Sequence, residues 1–315
     1  MWAAVIAAPR KLELARVPQP RPGPRESKVR LEGCGVCGSN LPVWEGREWF
    51  QYPLAPGVPG HEAWGRVEQV GEEVTSAAVG DRVATLSSRA FSEFDLVPEG
   101  SFLRLPEDLD GPFPGEPLAC AFNVFRRAEI REGQMVAVIG VGFLGAVLTR
   151  LASSAGAKVI AISRRPFALR IARDFGAWQT IGSEERRRIV DRVSELTDGR
   201  LCERVIEVVG LQEPLALAGE LTQERGRLVI AGYHQDGLRQ VDLQLWNWRG
   251  LDVINAHERD PAVYLEGMKR AVDAVRQRRL DPTPLYSSFK PDELGSAFER
   301  MSSRPDGFVK GLVLA

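Results

Sequence analysis

The sequence predicts an α/β protein of two parts, an irregular β domain and a doubly wound parallel sheet, on three observations. Its 315 residues exceed what one hydrophobic core comfortably fills and suit two. Near residue 116 the texture changes from short β-branched runs separated by Gly and Pro to an alternation of strands and helices. The strand Met135–Ile139 runs straight into a glycine-rich turn and an apolar helix.

Taken in order, the apolar N-terminus is broken at once by Pro9-Arg10-Lys11 and lacks a basic leading segment, so it reads as a first strand and not a signal peptide. Runs at 28–31, 65–70, 82–86 and 94–97 are further short strands. Between about 116 and 255, strands at Met135–Ile139, Lys158–Ile162, 205–209 and 228–230 alternate with helices over 144–154 and 166–175, which implies a parallel, doubly wound sheet. A charged amphipathic helix over 264–279 follows, and the chain closes on the apolar stretch 308–314. The sequence holds no internal repeat and no low-complexity segment.

Apolar residues at 44% and charged residues at 26% are globular values. A net charge of -1 gives no long-range attraction to nucleic acid or anionic lipid, so a small molecule is the expected partner. No apolar run approaches the roughly 20 residues needed to span a bilayer. Four cysteines, Cys34, Cys37, Cys120 and Cys202, do not make a disulfide framework, and a reducing cytoplasm fits.

The turn Gly140-Val141-Gly142-Phe143-Leu144-Gly145 has the G-x-G-x-x-G form. Its first Gly permits the tight turn, the second lets the backbone approach a pyrophosphate, and the third lets helix and strand pack closely. The helix N-terminus then faces the anion. The next strand ends in Ser163-Arg164-Arg165, where an NAD site would place an acid for the ribose 2′-hydroxyl. Ser163 donates a hydrogen bond, and Arg164 and Arg165 make charge-assisted ones, so NADP(H) is expected over NAD(H). The alternative is two solvated arginines at a strand end.

Cys37-Gly38-Ser39 lies upstream of Gly60-His61-Glu62-Ala63-Trp64-Gly65, with Gly71 and Val74 beyond. A thiolate, an imidazole and a carboxylate gathered from these segments suit zinc. Cys34-Gly35-Val36-Cys37 has no second Cys-x-x-Cys, so a four-thiolate site built from two such pairs is excluded. His61 also reads as a hydrogen-bonded core histidine, and Glu116 as an acid favoured by a helix macrodipole.

This spacing resembles the signature of the zinc-containing alcohol dehydrogenases, members of the medium-chain dehydrogenase/reductase superfamily, over most of the chain. The resemblance implies a GroES-like catalytic domain over 1–115 and 256–315, with a Rossmann nucleotide-binding domain over 116–255 inserted in it. It implies one catalytic zinc held by Cys37, His61 and either Glu62 or Glu116, the latter as in the sorbitol dehydrogenase-like branch. Ser39 matches a residue that exchanges a proton with the substrate oxygen. The lobe that carries a structural zinc in the family would follow Leu86, and no Cys stands there, so no structural zinc is expected. Asn40 replaces the usual Asp that orients the metal-bound His, and Pro42 replaces a relay His.

The resemblance places Trp44, Trp49, Phe50 and Tyr52, in a Pro- and Gly-rich loop, beside the substrate cleft; the same rings also read as loop packing. His257 and Glu258 occupy the stretch where polyol dehydrogenases hold substrate, or else a solvated turn. The charged stretch 184–188 reads as a solvated face. The expected function is NADP(H)-dependent interconversion of an alcohol and a carbonyl compound with zinc as Lewis acid, in a homodimer or homotetramer. Two rivals are a zinc-free quinone or enoyl reductase of the same superfamily and a non-catalytic NADPH-binding protein.

Overall fold

The structure, a computed structural model, describes residues 1–182 and 184–315. The chain forms two compact units, Met1–Ala119 with Arg259–Ala315, and Cys120–Glu258. These divisions fall a few residues beyond 115 and 255, the first of them inside a helix.

In the first unit β1 (Trp2–Ala8) and β2 (Lys11–Arg16) form an antiparallel pair. The long strand β3 (Glu26–Gly35) is followed by the short helix α1 (Leu41–Glu45). A loop was expected at α1, but Pro42 suits its first turn and Gly46 ends it with a left-handed φ of 82°. Then come β4 (Glu62–Val70), β5 (Arg82–Thr85), β6 (Phe94–Pro98) and β7 (Phe102–Arg104). β3 pairs antiparallel with both β4 and β6, and the sheet continues through β5 to β7.

The second unit alternates as the sequence pattern implies. Helix α2 (Gly115–Ala128) leads to β8 (Met135–Ile139), α3 (Phe143–Ser154), β9 (Lys158–Ile162), α4 (Pro166–Asp174) and β10 (Gln179–Ile181). Then come α5 (Arg186–Leu196), β11 (Cys202–Glu207), α6 (Gln212–Leu221), β12 (Thr222–Ile230), α7 (Leu243–Arg249) and β13 (Asp252–Asn255). All pairings are parallel, in the order β10-β9-β8-β11-β12-β13. The order reverses between β8 and β11, the switch point where such sheets bind ligands.

Both faces of β8 are buried, which is why it reads as a continuous apolar run. Ala137 and Ile139 join one core with Ile160 and Leu228, while Val136 and Val138 join the other with Leu148 and Ile206. β11 ends at Glu207, not at the expected 209, because the Glu207 carboxylate takes the N–H groups of Val209 and Gly210 at 2.6 and 2.8 Å and turns the chain.

The tail opens with α8 (Pro261–Arg276), whose N-cap Asp260 accepts from the Ala262 N–H at 2.9 Å. This cap starts the helix before the expected 264. β14 (Tyr286–Phe289), α9 (Leu294–Ser303) and β15 (Lys310–Leu314) follow. β15 lies parallel to β14 and antiparallel to β3, so the tail completes the first unit's sheet. Among the described residues no helix is long and apolar enough to cross a membrane.

Candidate functional site

The metal-type site grows from the end of β3 and the start of β4. Cys37 stands just past β3 and His61 just before β4, and Glu62 opens β4, so the antiparallel pairing brings the three together. Ligand atoms of Cys37, His61 and Glu62 all lie within 4.8 Å of one another. Cys37 and His61 are half-buried and Glu62 is fully buried.

His61 is oriented by a backbone group. Its Nδ1 lies 2.9 Å from the Pro59 carbonyl oxygen, which only accepts, so Nδ1–H donates there and Nε2 is the ring nitrogen left for a metal. Asn40, in place of the Asp that orients the His, lies with its Nδ2 3.4 Å from His61 Nδ1; that Nδ2 donates to the same carbonyl at 3.2 Å and its Oδ1 accepts the Cys37 N–H at 3.0 Å. The uncharged side chain therefore fixes the backbone on which both residues stand. Pro42, at the relay position, is buried in α1, and Ser39 is half-buried in the 3₁₀ turn Gly38–Asn40.

The electrostatics are one-sided. Burial alone would lower the His61 pKa, but the Cys37 charge, a Cys37 hydrogen bond and the charges of Glu116 and Glu62 reverse this and push it up to about 10. So much negative character around one imidazole fits a site made for a cation. Glu116, in the first turn of α2, acts on this field from outside the 4.8 Å cluster.

Glu62 has another partner. Lys310, on β15 and 3% exposed, is ion-paired to its carboxylate. Burial opposes the Lys310 charge, yet Glu62, Cys37 and Glu116 hold its pKa above the usual value. Sequence reasoning missed Lys310, although it is the one charged residue in the closing run Phe308-Val309-Lys310-Gly311-Leu312. Cys34, 2% exposed, is pushed far up by burial and by Glu62, which leaves it an inert core thiol.

The aromatic expectation is corrected in part. Trp44 is 2% exposed and stacks on Phe298 at 4.9 Å, with its indole N–H on Glu299 at 3.1 Å, so it is a core residue and not a substrate contact. Tyr52 donates to the Val43 carbonyl and packs on the same core, as Phe50 does. Trp49 is 53% exposed. His257 is exposed and stacks on Tyr233 at 5.8 Å, and Glu258 is half-buried beside it.

In the second unit β8 delivers the glycine turn at the switch point. Gly140 has φ 100°, and a Cβ at Gly145 would fall on the Gly140 carbonyl oxygen, so both glycines serve the fold. Gly142 differs, since a Cβ there would meet nothing within 4 Å. Its side is open to a ligand, and as a glycine N-cap of α3 it offers no side chain to the helix's first N–H groups. That cradle, with Phe143 and Leu144 starting the helix, fits a pyrophosphate. At the end of β9, Ser163 Oγ lies 3.4 Å from the Arg165 N–H, Arg165 caps α4, and Arg164 is exposed, with no acid in the helix's first turn.

The comparisons with known proteins agree with this fold. Residues 23–103 match the family model described as an alcohol dehydrogenase GroES-like domain, and residues 144–271 match that described as a zinc-binding dehydrogenase. A sorbitol dehydrogenase of Halalkalibacterium halodurans is 27% identical over 279 residues, 78% of this chain and 80% of that protein. A quinone oxidoreductase of Pseudomonas aeruginosa is 31% identical over 257 residues, 78% of this chain and 77% of that protein. A Sinorhizobium meliloti chain solved bound to NADP superposes with a TM-score of 0.85 at 26% identity, over 100% of this chain and 99% of that one. The chain belongs to the zinc-containing alcohol dehydrogenase family of the medium-chain dehydrogenase/reductases, enzymes that act on CH–OH groups.

Proposed function

We propose that this protein interconverts an alcohol and an aldehyde or ketone, with one zinc ion at Cys37 and His61 and NADP(H) as hydride carrier. The observation that carries the reading is that ligand atoms of Cys37, His61 and Glu62 lie within 4.8 Å of one another, with His61 Nδ1 tied to the Pro59 carbonyl so that Nε2 is left for a metal. When bound, zinc supplies a Lewis acid for the substrate oxygen and the nicotinamide supplies or accepts the hydride.

The chain's own residues do the rest. Cys37 and His61 hold the metal, and Glu116 is the third ligand in preference to Glu62, whose carboxylate is ion-paired to Lys310. Ser39 Oγ exchanges a proton with the substrate oxygen. Since Pro42 offers no relay, that proton leaves through cofactor hydroxyls or water. Gly140, Gly142 and Gly145 shape the pyrophosphate turn, and Ser163, Arg164 and Arg165 take the 2′-phosphate. Residues 1–115 and 256–315 make the catalytic domain and 116–255 the nucleotide-binding domain. Trp49, His257 and Glu258 remain the proposed substrate contacts, and the assembly is a dimer or tetramer.

The test is the pair Cys37→Ala and His61→Ala, each expected to abolish turnover while NADPH binding survives. Retained activity in both refutes the metal mechanism. A second reading, a quinone reductase, is favoured by the 31% relative of that name. It predicts quinone turnover that neither substitution touches.

A further inference from the structure

A buried polar chain lies in the second unit, apart from the residues assigned above. Glu207, at the carboxyl end of β11, is fully buried. Its Oε1 accepts the N–H groups of Val209 and Gly210, and its Oε2 lies 3.0 Å from His234 Nε2. His234 Nδ1 in turn lies 2.9 Å from Arg239 Nε. Arg239 also donates to the Gly210 carbonyl at 3.0 Å and pairs with Asp236. Glu207 and His234 have side chains 0% and 15% exposed, and Arg239 14%.

The chain ties two loops together, 208–211 after β11 and 231–242 after β12. A Cβ at Gly210 would lie 2.6 Å from the Tyr233 carbonyl oxygen, so the two backbones touch. Gln212 and Gln240 add a reciprocal pair at 2.7 and 2.9 Å. The first loop also reaches the glycine turn. A Cβ at Gly140 would meet Val209 Cγ2 at 2.5 Å and Val208 Cγ2 at 3.2 Å, and one at Gly145 would meet Val208 Cγ2 at 3.2 Å. Whatever sets Val208 and Val209 therefore sets the wall behind the pyrophosphate turn, at the carboxyl ends of the strands where the sheet order reverses.

The donors settle the state of His234. Arginine only donates, so Nδ1 accepts, and Nε2–H points at Glu207, which makes the ring neutral with its proton on Nε2. A second proton on Nδ1 would set N–H against N–H and cation against cation, which breaks the Arg239 Nε–His234 Nδ1 bond and strains the neighbouring Nη2 bond to the Gly210 carbonyl. The charged groups facing His234 are Glu207 from β11 and Arg239 and Asp236 from its own loop; His257 stacks on Tyr233 next to it.

We infer that Glu207, His234 and Arg239 form a clamp that positions these two loops against the bound dinucleotide, closed only while His234 is neutral. The inference rests on the nucleotide-binding reading above. His234 is a positioning residue, coupled to the cofactor through linkage: if a second proton on its ring opens the clamp, acid weakens binding and bound cofactor disfavours that proton by the same factor.

The variants are His234→Gln, whose amide donates to Glu207 and accepts from Arg239 at any pH, and His234→Leu, which does neither. NADPH affinity is measured from pH about 8 to about 5.5. The cofactor's 2′-phosphate titrates alike in every protein, so the ratio of wild type to His234→Gln isolates the clamp. The clamp predicts equal affinity at the upper pH, a wild-type loss about tenfold larger than that of His234→Gln at the lower, and roughly tenfold weaker binding by His234→Leu throughout. Parallel curves for wild type and His234→Gln, or native affinity in His234→Leu, overturn it.

Hydrogen exchange of the 231–242 amides in cofactor-free protein supplies an independent readout. Acid should speed exchange, after correction for intrinsic rates, in the wild type and not in His234→Gln. Equal acid sensitivity overturns the clamp itself. A wild type that shows the exchange difference but binds neither NADPH nor NADH would keep the latch and refute the nucleotide reading, and with it the positioning role.

Discussion

The glycine turn and the metal-type site solve the same problem, holding a charged partner, by opposite routes. The turn is compact in sequence: one strand, six residues and one helix, Met135 to Ser154, supply its glycines and its helix N-terminus, with Ile162, Val208 and Val209 packed against it. The metal-type site is assembled from afar, with Cys37 after β3, His61 and Glu62 at β4, the charge of Glu116 acting from α2, and Lys310 248 residues beyond Glu62. A site built from distant donors also carries the cost of burying them, and its charges must balance before any metal arrives.

That cost gives the largest expected effect. Lys310→Met leaves the Glu62 carboxylate buried without its cation and should destabilise the first unit by about 3–5 kcal/mol, measured by denaturant unfolding. Adding Glu62→Gln should restore much of the loss, since a neutral pair no longer needs a counter-charge. If Lys310→Met alone unfolds like the wild type, the two sites do not differ in the way described.

The turn is broken more gently. Gly145→Ala drives a Cβ into the Gly140 carbonyl and should cost roughly 2 kcal/mol or more of stability. Gly142→Ala has open space and should fold with native stability, yet bind NADPH at least about tenfold more weakly because the backbone can no longer approach the pyrophosphate. Calorimetry with and without cofactor separates the two. Equal stability loss in both variants would mean that Gly142 serves packing after all.

Next in size, Arg164→Ala with Arg165→Ala should weaken NADPH about tenfold or more and leave NADH nearly unchanged, since only the former carries a 2′-phosphate. Equal loss for both cofactors removes the NADP(H) preference. The smallest effect belongs to Glu99, far from both sites. Its slight burial raises its pKa, but the Ser76 and Thr75 hydroxyl and N–H groups outweigh this and hold it below the usual carboxylate range. A depressed carboxyl gives stability above the unfolded value of about 4.3 that is lost as pH falls through the folded one. Glu99→Gln should therefore flatten the acid limb of a stability profile slightly, and an unchanged limb would contradict the assignment.

The same contrast explains what could be read from the chain. Met135–Ile139 and Lys158–Ile162 stand where the apolar runs place them, because strands buried on both faces need no alternation and their ends are cut by glycine or polar residues. Cys37 and His61 were legible from spacing. The Pro59 carbonyl on His61 was not, since a backbone acceptor leaves no mark in side-chain identity. Lys310 and the chain Glu207, His234, Arg239 depend on contacts across sheets and loops, and Trp44 reads alike as a cleft residue and as core until Phe298 is seen beneath it.

A catalytic zinc at Cys37 is tested most simply by the zinc content of protein purified without added metal and dialysed against a weak chelator, for wild type and Cys37→Ala. About one zinc is expected per wild-type chain and none in Cys37→Ala, with alcohol or carbonyl turnover lost alongside the metal while NADPH still binds. Folded, NADPH-binding wild type that turns over a carbonyl compound or a quinone without zinc would contradict it.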